Sequence, residues 1–346
     1  FGNWLPSTSR YINYKVAPSD VYKSSSLHPM GYKTTNGHIK ALIMVNGEES
    51  YLESSRRGAN FFSNFHTRRK VLGFLFILPT ILFLAIFVLY PVISNLILSF
   101  TDAKLMKSEY NFIGLENYIK LFSSKMFLKY TWNTVIWTVF SVIGQLVLGL
   151  ALALLINREI RGGSFLRSFL LIPYVVPAVA IALITKWIFN GDYGIASKWL
   201  QDLNLIDYRQ SPLALYGGAM ALLIIVNIWR SYPFPMLIYW AALRGINKEL
   251  YEAANVDGAN KLQCFRFITL PQLRNTTIVL VILRIVWTAT YFDLIWMITG
   301  GGPAGSTTHL PIMIYQASFG SFRIGYASAI SMLLGIVLFI CIIFYV

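Results

Sequence analysis

The sequence is poor in charged residues. Only 13% of its 346 residues are Asp, Glu, Lys or Arg, whereas soluble globular proteins carry about 25%. A chain with so little charge cannot cover a surface that faces water, and 56% of its residues are hydrophobic. These two proportions exclude an ordinary soluble domain and indicate a membrane protein.

Acidic residues are scarcer than basic ones: 15 Asp and Glu stand against 29 Lys and Arg, a net charge of +14. In a soluble protein such an excess would suggest nucleic-acid binding. In a membrane chain it indicates cytoplasmic loops rich in Lys and Arg, so we expect no nucleic-acid partner. The two cysteines, Cys264 and Cys341, lie in a polar loop and an apolar run, which argues against a disulfide framework.

The sequence also lacks the motifs that carry chemistry. It contains no Gly-x-x-x-x-Gly-Lys-Ser/Thr phosphate loop, and its four histidines have no metal-ligand spacing. No Ser/His/Asp or Cys/His set is identifiable either. We therefore assign the chain no catalytic residue, no metal and no cofactor of its own.

Residues 1–70 differ in composition from the rest of the chain. They hold ten Lys or Arg, four Asp or Glu, and no apolar run longer than Ala41 to Val45. A basic start, an apolar stretch and a small-residue cleavage site do not follow one another there, so we expect no signal peptide. We interpret 1–70 as a polar cytoplasmic extension of unknown role, and 71–346 as the transmembrane domain.

Six almost uncharged runs follow, each at least as long as the 20 or so residues that a membrane-spanning helix needs. They extend over 71–101, 130–157, 168–189, 210–243, 275–299 and 324–346. With the amino terminus in the cytoplasm, the inner segments carry eleven Lys and Arg and the outer segments eight. This bias supports that orientation, and we expect an all-α, multi-pass protein with six transmembrane helices.

The connection between the fourth and fifth runs, residues 244–274, carries the most specific pattern. Small or apolar residues recur there at helical spacing: Leu250, Ala253, Ala254 and Val256. This loop cannot be buried in lipid, because it also contains three acidic residues, Glu249, Glu252 and Asp257. Gly258 is a natural helix end, and we expect a second short helix from Ala259 to Phe267, before Pro271. We call these small and apolar residues the apolar stripe, and the two short helices the hairpin. Since lipid is excluded, the apolar stripe needs another protein surface to pack against.

The same loop carries a spacing that identifies a family. Glu252-Ala253-Ala254, three residues, Gly258, nine residues, Ile268, one residue and Leu270-Pro271 follow one another. In this spacing the sequence resembles the EAA loop of permease subunits in binding-protein-dependent ABC importers. Thr299-Gly300-Gly301-Gly302-Pro303, followed by Ser306-Thr307, is similar to the larger, maltose-permease-like subunit of carbohydrate importers. The resemblance covers residues 71–346.

The resemblance implies an architecture and a set of partners. It implies a six-helix permease with a cytoplasmic coupling-helix loop, in the cytoplasmic (inner) membrane of a bacterium, passing a sugar from an extracytoplasmic binding protein. A second homologous permease would complete a heterodimer, and two ATPase subunits would hold ATP and Mg. The short helix around Glu249–Gly258 would dock on an ATPase, and the residues implied in that coupling are Glu249, Glu252, Ala253, Ala254, Asp257, Gly258, Leu270 and Pro271.

Two stripes of polar and aromatic residues lie inside the fourth and fifth runs, where such groups are costly in lipid. Their members are Asn227, Arg230, Ser231 and Phe234, then Arg284, Trp287, Thr288 and Tyr291. By the resemblance, both fall where maltose-permease-like subunits contact sugar, so we expect them to line the substrate pathway. Hydrogen bonding between helices and simple packing would explain each residue equally well.

Basic residues exceed acids inside these runs. Arg230, Arg284 and Lys186 have only Asp293 to pair with. An acidic, uronate-containing sugar would suit this excess. Pairing with a partner subunit, hydration, or snorkelling of Lys186 to an interface would explain it as well.

Other functions stay open on the sequence alone. One is an importer of a different solute, such as a glycerol phosphate or a polyamine. Another is an ion-coupled secondary carrier, which would predict inverted repeats and intramembrane acids. A membrane enzyme would need a convergent catalytic set.

Overall fold

The structure is a computed structural model that describes residues 29–35, 38–45, 48–54, 74–107, 109–158 and 162–343. Its contacts divide the chain into two units, Phe1–Tyr90 and Pro91–Val346.

Three antiparallel strands form a small sheet in the amino-terminal unit, in the order β1-β2-β3. They are β1 (Pro29–Thr35), β2 (His38–Val45) and β3 (Glu48–Ser54). Thr35 pairs with His38 and Val45 pairs with Glu48, so each connection is two residues long. Both connections read Asn-Gly in the sequence, the pair that two-residue hairpin turns favour. Strands were not predicted within the extension 1–70, and its residues 1–28, 36–37, 46–47 and 55–70 lie outside the described part.

From residue 74 onward the described chain is built of helices, which confirms the all-α prediction for the membrane domain. The helices are α1 (Phe74–Ser99), α2 (Glu116–Phe122), α3 (Lys125–Ile156), α4 (Gly163–Val175), α5 (Ala178–Ile188), α6 (Ile195–Asp202), α7 (Gly218–Ser231), α8 (Pro233–Arg244), α9 (Lys248–Val256), α10 (Lys261–Ala289), α11 (Asp293–Thr299), α12 (Leu310–Tyr315) and α13 (Ile324–Ile343).

Four of these helices, α1, α3, α10 and α13, are long and apolar enough to cross a membrane. The pairs α4–α5 and α7–α8 meet that criterion together, but they bend by 89° and 43°. The described residues therefore supply four spans, or six if each bent pair crosses once. The sharper bend lies at Val176 and Pro177, where Val176 is extended, as a residue before proline prefers.

The fifth span differs from its predicted limits. The helix α10 begins at Lys261 and continues through Pro271 to Ala289, so the expected break before Pro271 and the expected end at Thr299 are both wrong. The backbone forms a π turn over Phe265–Thr269 directly before Pro271, and this pattern accommodates a residue that has no N–H to donate.

The helix α3 is the centre of the second unit, since it packs against α7, α8 and α10. Gly149 lets α8 approach closely, because a Cβ there would lie 2.9 Å from the Cβ of Pro235. Polar side chains also lie buried along α3, and Trp137 donates from Nε1 to the Thr288 carbonyl of α10 at 2.9 Å. The central helix is thus tied to the helices that carry both predicted stripes.

The glycine-rich run after α11 is a turn held against the start of α3. Asn133 donates from Nδ2 to the carbonyls of Gly305 and Thr308, at 3.1 and 2.8 Å. Gly301 has a φ of +96°, and a Cβ there would lie 2.4 Å from Thr308 Oγ1. Glycine is therefore required at this position by both conformation and space.

Candidate functional site

A cavity of about 380 Å³ lies where three helical segments break or end. Its lining residues are Tyr174, Asn227, Arg230, Ser231, Arg284, Trp287, Thr288 and Tyr291. Seven of the eight residues predicted for the substrate pathway are among them. The two sequence stripes therefore converge on one space.

The breaks explain why polar side chains gather here. Tyr174 lies next to the 89° bend between α4 and α5, Ser231 ends α7 at the 43° bend, and Tyr291 follows the end of α10. Discontinuous helices leave backbone groups and side chains facing a shared space, which is how many transporters build sites at membrane depth.

Phe234, the remaining predicted residue, joins the site through its ring. It contacts Trp287 edge to face at a centroid distance of 5.1 Å and stacks on Tyr174 at 6.4 Å. Phe234 lies on α8, beyond the 43° bend, so it does not share one straight helical face with Asn227 and Ser231. It nevertheless packs behind two aromatic rings of the cavity.

The two arginines of the cavity are held differently. Arg284 is 6% exposed and donates from Nε to Gln145 Oε1 at 2.7 Å, which ties α10 to α3. Arg230 lies over the ring of Tyr291 at 5.3 Å, and Arg284 lies 5.8 Å from the ring of Trp287. Such cation–π contacts favour a guanidinium without neutralising its charge.

Several lining residues carry a buried polar atom without a protein partner. These atoms are Asn227 Nδ2, Arg230 Nε, Thr288 Oγ1 and Tyr291 Oη. Two of them are N–H donors and two are hydroxyls, which can donate or accept. Because an unpaired buried polar group is costly, this part of the protein is suited to a polar ligand.

The other charged residues predicted inside the spans lie elsewhere. Lys186 is exposed in the last turn of α5, and Asp293 is exposed in the first turn of α11. Neither lines the cavity. The ion pairs among the described residues are Lys120–Glu116 and Arg209–Asp192, so no described carboxylate neutralises Arg230 or Arg284. Within the same residues, no group of His, Cys, Asp or Glu could hold a metal ion.

The predicted coupling loop forms a hairpin of α9 and the start of α10. Asn247 caps α9, accepting from the Glu249 N–H at 3.0 Å and donating to Glu249 Oε2 at 3.0 Å. At the other end Gly258 has a φ of +80°, and its N–H donates to Asn255 while the Ala259 N–H donates to Ala254. This pair of bonds is a Schellman motif, so the expected helix end at Gly258 is confirmed.

The helix α9 has no buried residue. The expected apolar stripe points outward: Val256 is 88% exposed and Leu250 43% exposed. Among the described contacts, Glu252 has no ion pair or hydrogen bond, whereas Glu249 is engaged by Asn247. Tyr251 contacts Thr269 through their hydroxyls at 2.9 Å and fixes α9 to α10. The described residues therefore hold the stripe in place and leave most of it uncovered.

The remaining coupling candidates divide between the two parts of the hairpin. Ala253 and Asp257 are exposed on or directly after α9, and Ala254 is half-buried. Leu270 and Pro271 are exposed within α10. The structure brings the Glu-Ala-Ala triplet and Gly258 together, and it places Leu270-Pro271 on the adjoining helix.

Two residues of the site were not predicted. Tyr174 is brought to the cavity by the 89° bend; Pro177 marks the position of that bend in the sequence, but not its angle or its direction. Gln145 did carry a signal, because it is the one Asn, Gln or charged residue between Thr134 and Ile156, and a polar side chain inside a span commonly has a structural or functional partner.

Comparison with known proteins places these features in context. The family described as binding-protein-dependent transport system inner membrane component matches residues 145–346. The trehalose/maltose transport system permease protein MalF of Thermococcus litoralis is 34% identical over 79% of this chain and 92% of its own length. The sulfoquinovosyl glycerol transport system permease protein SmoG of Agrobacterium fabrum is 36% identical over 77% of this chain and 86% of its own length.

A solved structure has a similar fold. It is a chain from a bacterial ABC transporter involved in the import of the acidic polysaccharide alginate, with a TM-score of 0.70 and 25% identity. The alignment covers 83% of this chain and 96% of that one. The matched family region includes every residue of the cavity and the whole α9 hairpin.

Proposed function

Because the chain belongs to the family of inner membrane components of binding-protein-dependent transport systems, we propose that it is the permease subunit of an ATP-driven sugar or oligosaccharide importer. One observation carries the proposal: the family region contains both a polar, aromatic cavity and an exposed helical hairpin. The cavity would pass the substrate, and the hairpin would receive force from another subunit.

The substrate class follows from the relatives and from the cavity. The relatives are named for trehalose/maltose and for sulfoquinovosyl glycerol, and the solved neighbour imports alginate, all of which are carbohydrates. In this chain the rings of Tyr174, Trp287 and Tyr291 line the cavity beside hydroxyl and amide groups. Flat rings pack against the apolar face of a sugar, and polar groups bond its hydroxyls.

The coupling role is proposed for the uncovered side of α9. Glu252 offers a carboxylate to a basic group of an ATPase subunit, and the small Ala253 and Ala254 permit close approach of that surface. ATP and Mg belong to the ATPase, while this chain contributes no catalytic group. Closure of the ATPase pair would move the hairpin, and the spans would rock between outward- and inward-facing states.

The assembly and orientation complete the proposal. The chain pairs with a second, related permease and with two ATPase subunits, and an external binding protein delivers the sugar. The hairpin and residues 1–70 lie on the cytoplasmic side, since the inner segments have more Lys and Arg. Six spans follow if α4–α5 and α7–α8 each cross the membrane once.

Co-purification tests the coupling role. The tagged chain, purified from its own membranes in mild detergent, should bring down an ABC ATPase and a second permease. Glu252→Ala should reduce the recovered ATPase at least about fivefold, because it removes one side of a charge pair at the interface. Glu116→Ala is the matched control, since Glu116 is also an exposed acid within a helix but lies on α2.

Two results would overturn the proposal. One is a chain that purifies without any ATPase and transports its substrate on an ion gradient alone, which is the behaviour of a secondary carrier. The other is equal ATPase recovery from the Glu252→Ala and Glu116→Ala variants, which would remove the docking role of α9.

A further inference from the structure

The charge of the cavity goes beyond what a neutral sugar requires. Two of its eight lining side chains are guanidinium groups, and none is a carboxylate. A charge buried without a partner is costly in a protein interior. Asn, Gln, Ser and aromatic side chains bind neutral sugars without that cost, so two arginines need a separate explanation.

The two guanidiniums differ in their freedom to contact a ligand. Arg284 is almost fully buried, and its Nε is committed to Gln145. Arg230 is half-buried, makes no hydrogen bond among the described contacts, and has an unpaired Nε. Its recorded contact is with the face of the Tyr291 ring, 5.3 Å from the centroid. Arg284 is therefore a fixed source of positive charge, and Arg230 is the group free to bind.

We propose that this cavity selects sugars that carry an oxyanion, a carboxylate or a sulfonate, with Arg230 as the contact residue and Arg284 as a second charge that Gln145 positions. A guanidinium presents paired N–H donors that match the two oxygens of such a group. The rings of Trp287 and Tyr174 lie on the same cavity and pack against the sugar ring. This inference rests on the proposed function and narrows its substrate class.

The test uses the complete transporter in proteoliposomes, with its second permease, ATPase and binding protein. ATP-dependent uptake is measured for two matched pairs of sugars. The first pair is trigalacturonate and its neutral methyl ester, and the second is a glucoside and the corresponding 6-sulfonate. The two pairs distinguish a carboxylate from a sulfonate ligand.

The expected result is preferential uptake of one or both anionic sugars by the wild type. Arg230→Gln should lower that uptake about 10- to 100-fold, the range of one charged hydrogen-bonding contact, and lower the uptake of the neutral partner much less, so that the ratio of anionic to neutral uptake falls. Arg230→Lys keeps the positive charge but loses the paired N–H donors of a guanidinium. Its uptake of the anionic sugar should therefore lie between that of the wild type and that of Arg230→Gln. The binding protein is the same in every sample, so its own selectivity cancels when variant and wild type are compared.

Lys186→Gln is the matched control, because it removes one positive charge from a span without touching the cavity. It should keep uptake of both members of each pair within twofold of wild type. An equal loss of the anionic preference in this variant would mean that general positive charge, and not the cavity, attracts the sugar.

Three outcomes would overturn the inference. Wild-type preference for the neutral member of both pairs would refute it while leaving the carbohydrate permease intact. Loss of the second permease from the purified Arg230→Gln complex, with equal loss of all uptake, would show that Arg230 pairs with an acid of that partner. Uptake of no sugar at all, acidic or neutral, would remove the proposed function itself.

Discussion

Gln145 is the residue on which the arrangement of the cavity most depends. Its Oε1 accepts the Nε proton of Arg284 at 2.7 Å, and both side chains are buried. The bond joins α3 to α10 and fixes one of the two cavity charges. A neutral side chain in a helical span thus decides where a charge on another helix can lie.

Gln145→Leu should destabilise the protein. The substitution leaves the Arg284 Nε without an acceptor in a buried position, which costs about 2 kcal/mol for a hydrogen bond to a charged group. We expect the Tm of the purified complex to fall by a few degrees, measured by tryptophan fluorescence on heating. Ser141→Ala is the control, because Ser141 is one turn earlier on α3 and equally buried, and its Oγ has no partner. A larger loss in Ser141→Ala than in Gln145→Leu would contradict this account.

At the residue scale, most of the cavity could be predicted from the sequence. Asn227, Ser231, Arg284 and Thr288 are polar groups at helical spacing inside apolar runs, and their cost in lipid marks them. Tyr174 could not be predicted, since it reaches the cavity only through the 89° bend after it. The pairing of Arg284 with Gln145 spans 139 positions in the chain, a distance over which one sequence carries no pairing information.

At the scale of elements, the α9 hairpin combines a fixed backbone with an open surface. The Asn247 cap and the Schellman motif at Gly258 close both ends of a helix that contributes no buried side chain. Local hydrogen bonds rather than packing therefore define its shape. Such a helix keeps its form without being packed into the rest of the described chain.

Gly258→Asp should uncouple ATP hydrolysis from substrate. The backbone at Gly258 is left-handed at φ +80°, and a Cβ there meets no atom within 4 Å, so an added carboxylate would project from the hairpin at a strain of about 1 kcal/mol. We expect the stimulation of ATP hydrolysis by the sugar-loaded binding protein to disappear, with normal amounts of the chain in the membrane. Proteoliposome ATPase assays measure the first quantity, and immunoblots measure the second.

Gly114→Asp provides the matched comparison. Gly114 is also left-handed, at φ +59°, and a Cβ there also meets open space, but it precedes α2, away from the hairpin. In Gly114→Asp, the stimulation of ATP hydrolysis by the sugar-loaded binding protein should stay within twofold of wild type. If the two variants behave alike, backbone strain and not the docking surface accounts for the effect.

Some ends of the helices and strands are set by local sequence signals, and others are not. Gly258 ends α9 as predicted, because only glycine adopts its conformation without strain. Pro271 does not break α10, because the π turn before it changes the hydrogen-bonding pattern. The strands β1 to β3 went unpredicted, although the two Asn-Gly pairs between them are a recognised hairpin signal.

At the scale of the whole molecule, the proposed orientation can be tested by thiol labelling. In a background with Cys264→Ser and Cys341→Ser, the exposed positions Asn255 and Tyr208 each receive a single cysteine. A membrane-impermeant maleimide should label Tyr208→Cys in right-side-out vesicles and Asn255→Cys in inside-out vesicles. Labelling of both from the same side would contradict the orientation, since an outer loop and the hairpin must then share a face.

The multi-pass helical architecture could be predicted from the composition, but the bends of its helices could not. Low charge and long apolar runs predict a multi-pass helical protein because lipid tolerates little else. Pro177 and Pro233 lie at the bends within α4–α5 and α7–α8, but the size of each bend, 89° and 43°, depends on packing against other helices, and one sequence carries no pattern for such tertiary contacts.

The continuity of α10 has a mechanical consequence. Its 29 residues make a rod about 43 Å long at 1.5 Å per residue, with the hairpin at the Lys261 end and Arg284, Trp287 and Thr288 near the other. Arg284 lies roughly 35 Å along that rod, so a tilt of about 10° pivoting at Lys261 would sweep it through some 6 Å. If the hairpin moves as proposed, α10 would act as a lever arm: a small rotation at its Lys261 end would be enlarged at the cavity end, and α3, which is bonded to it there, would have to move with it or lose those bonds.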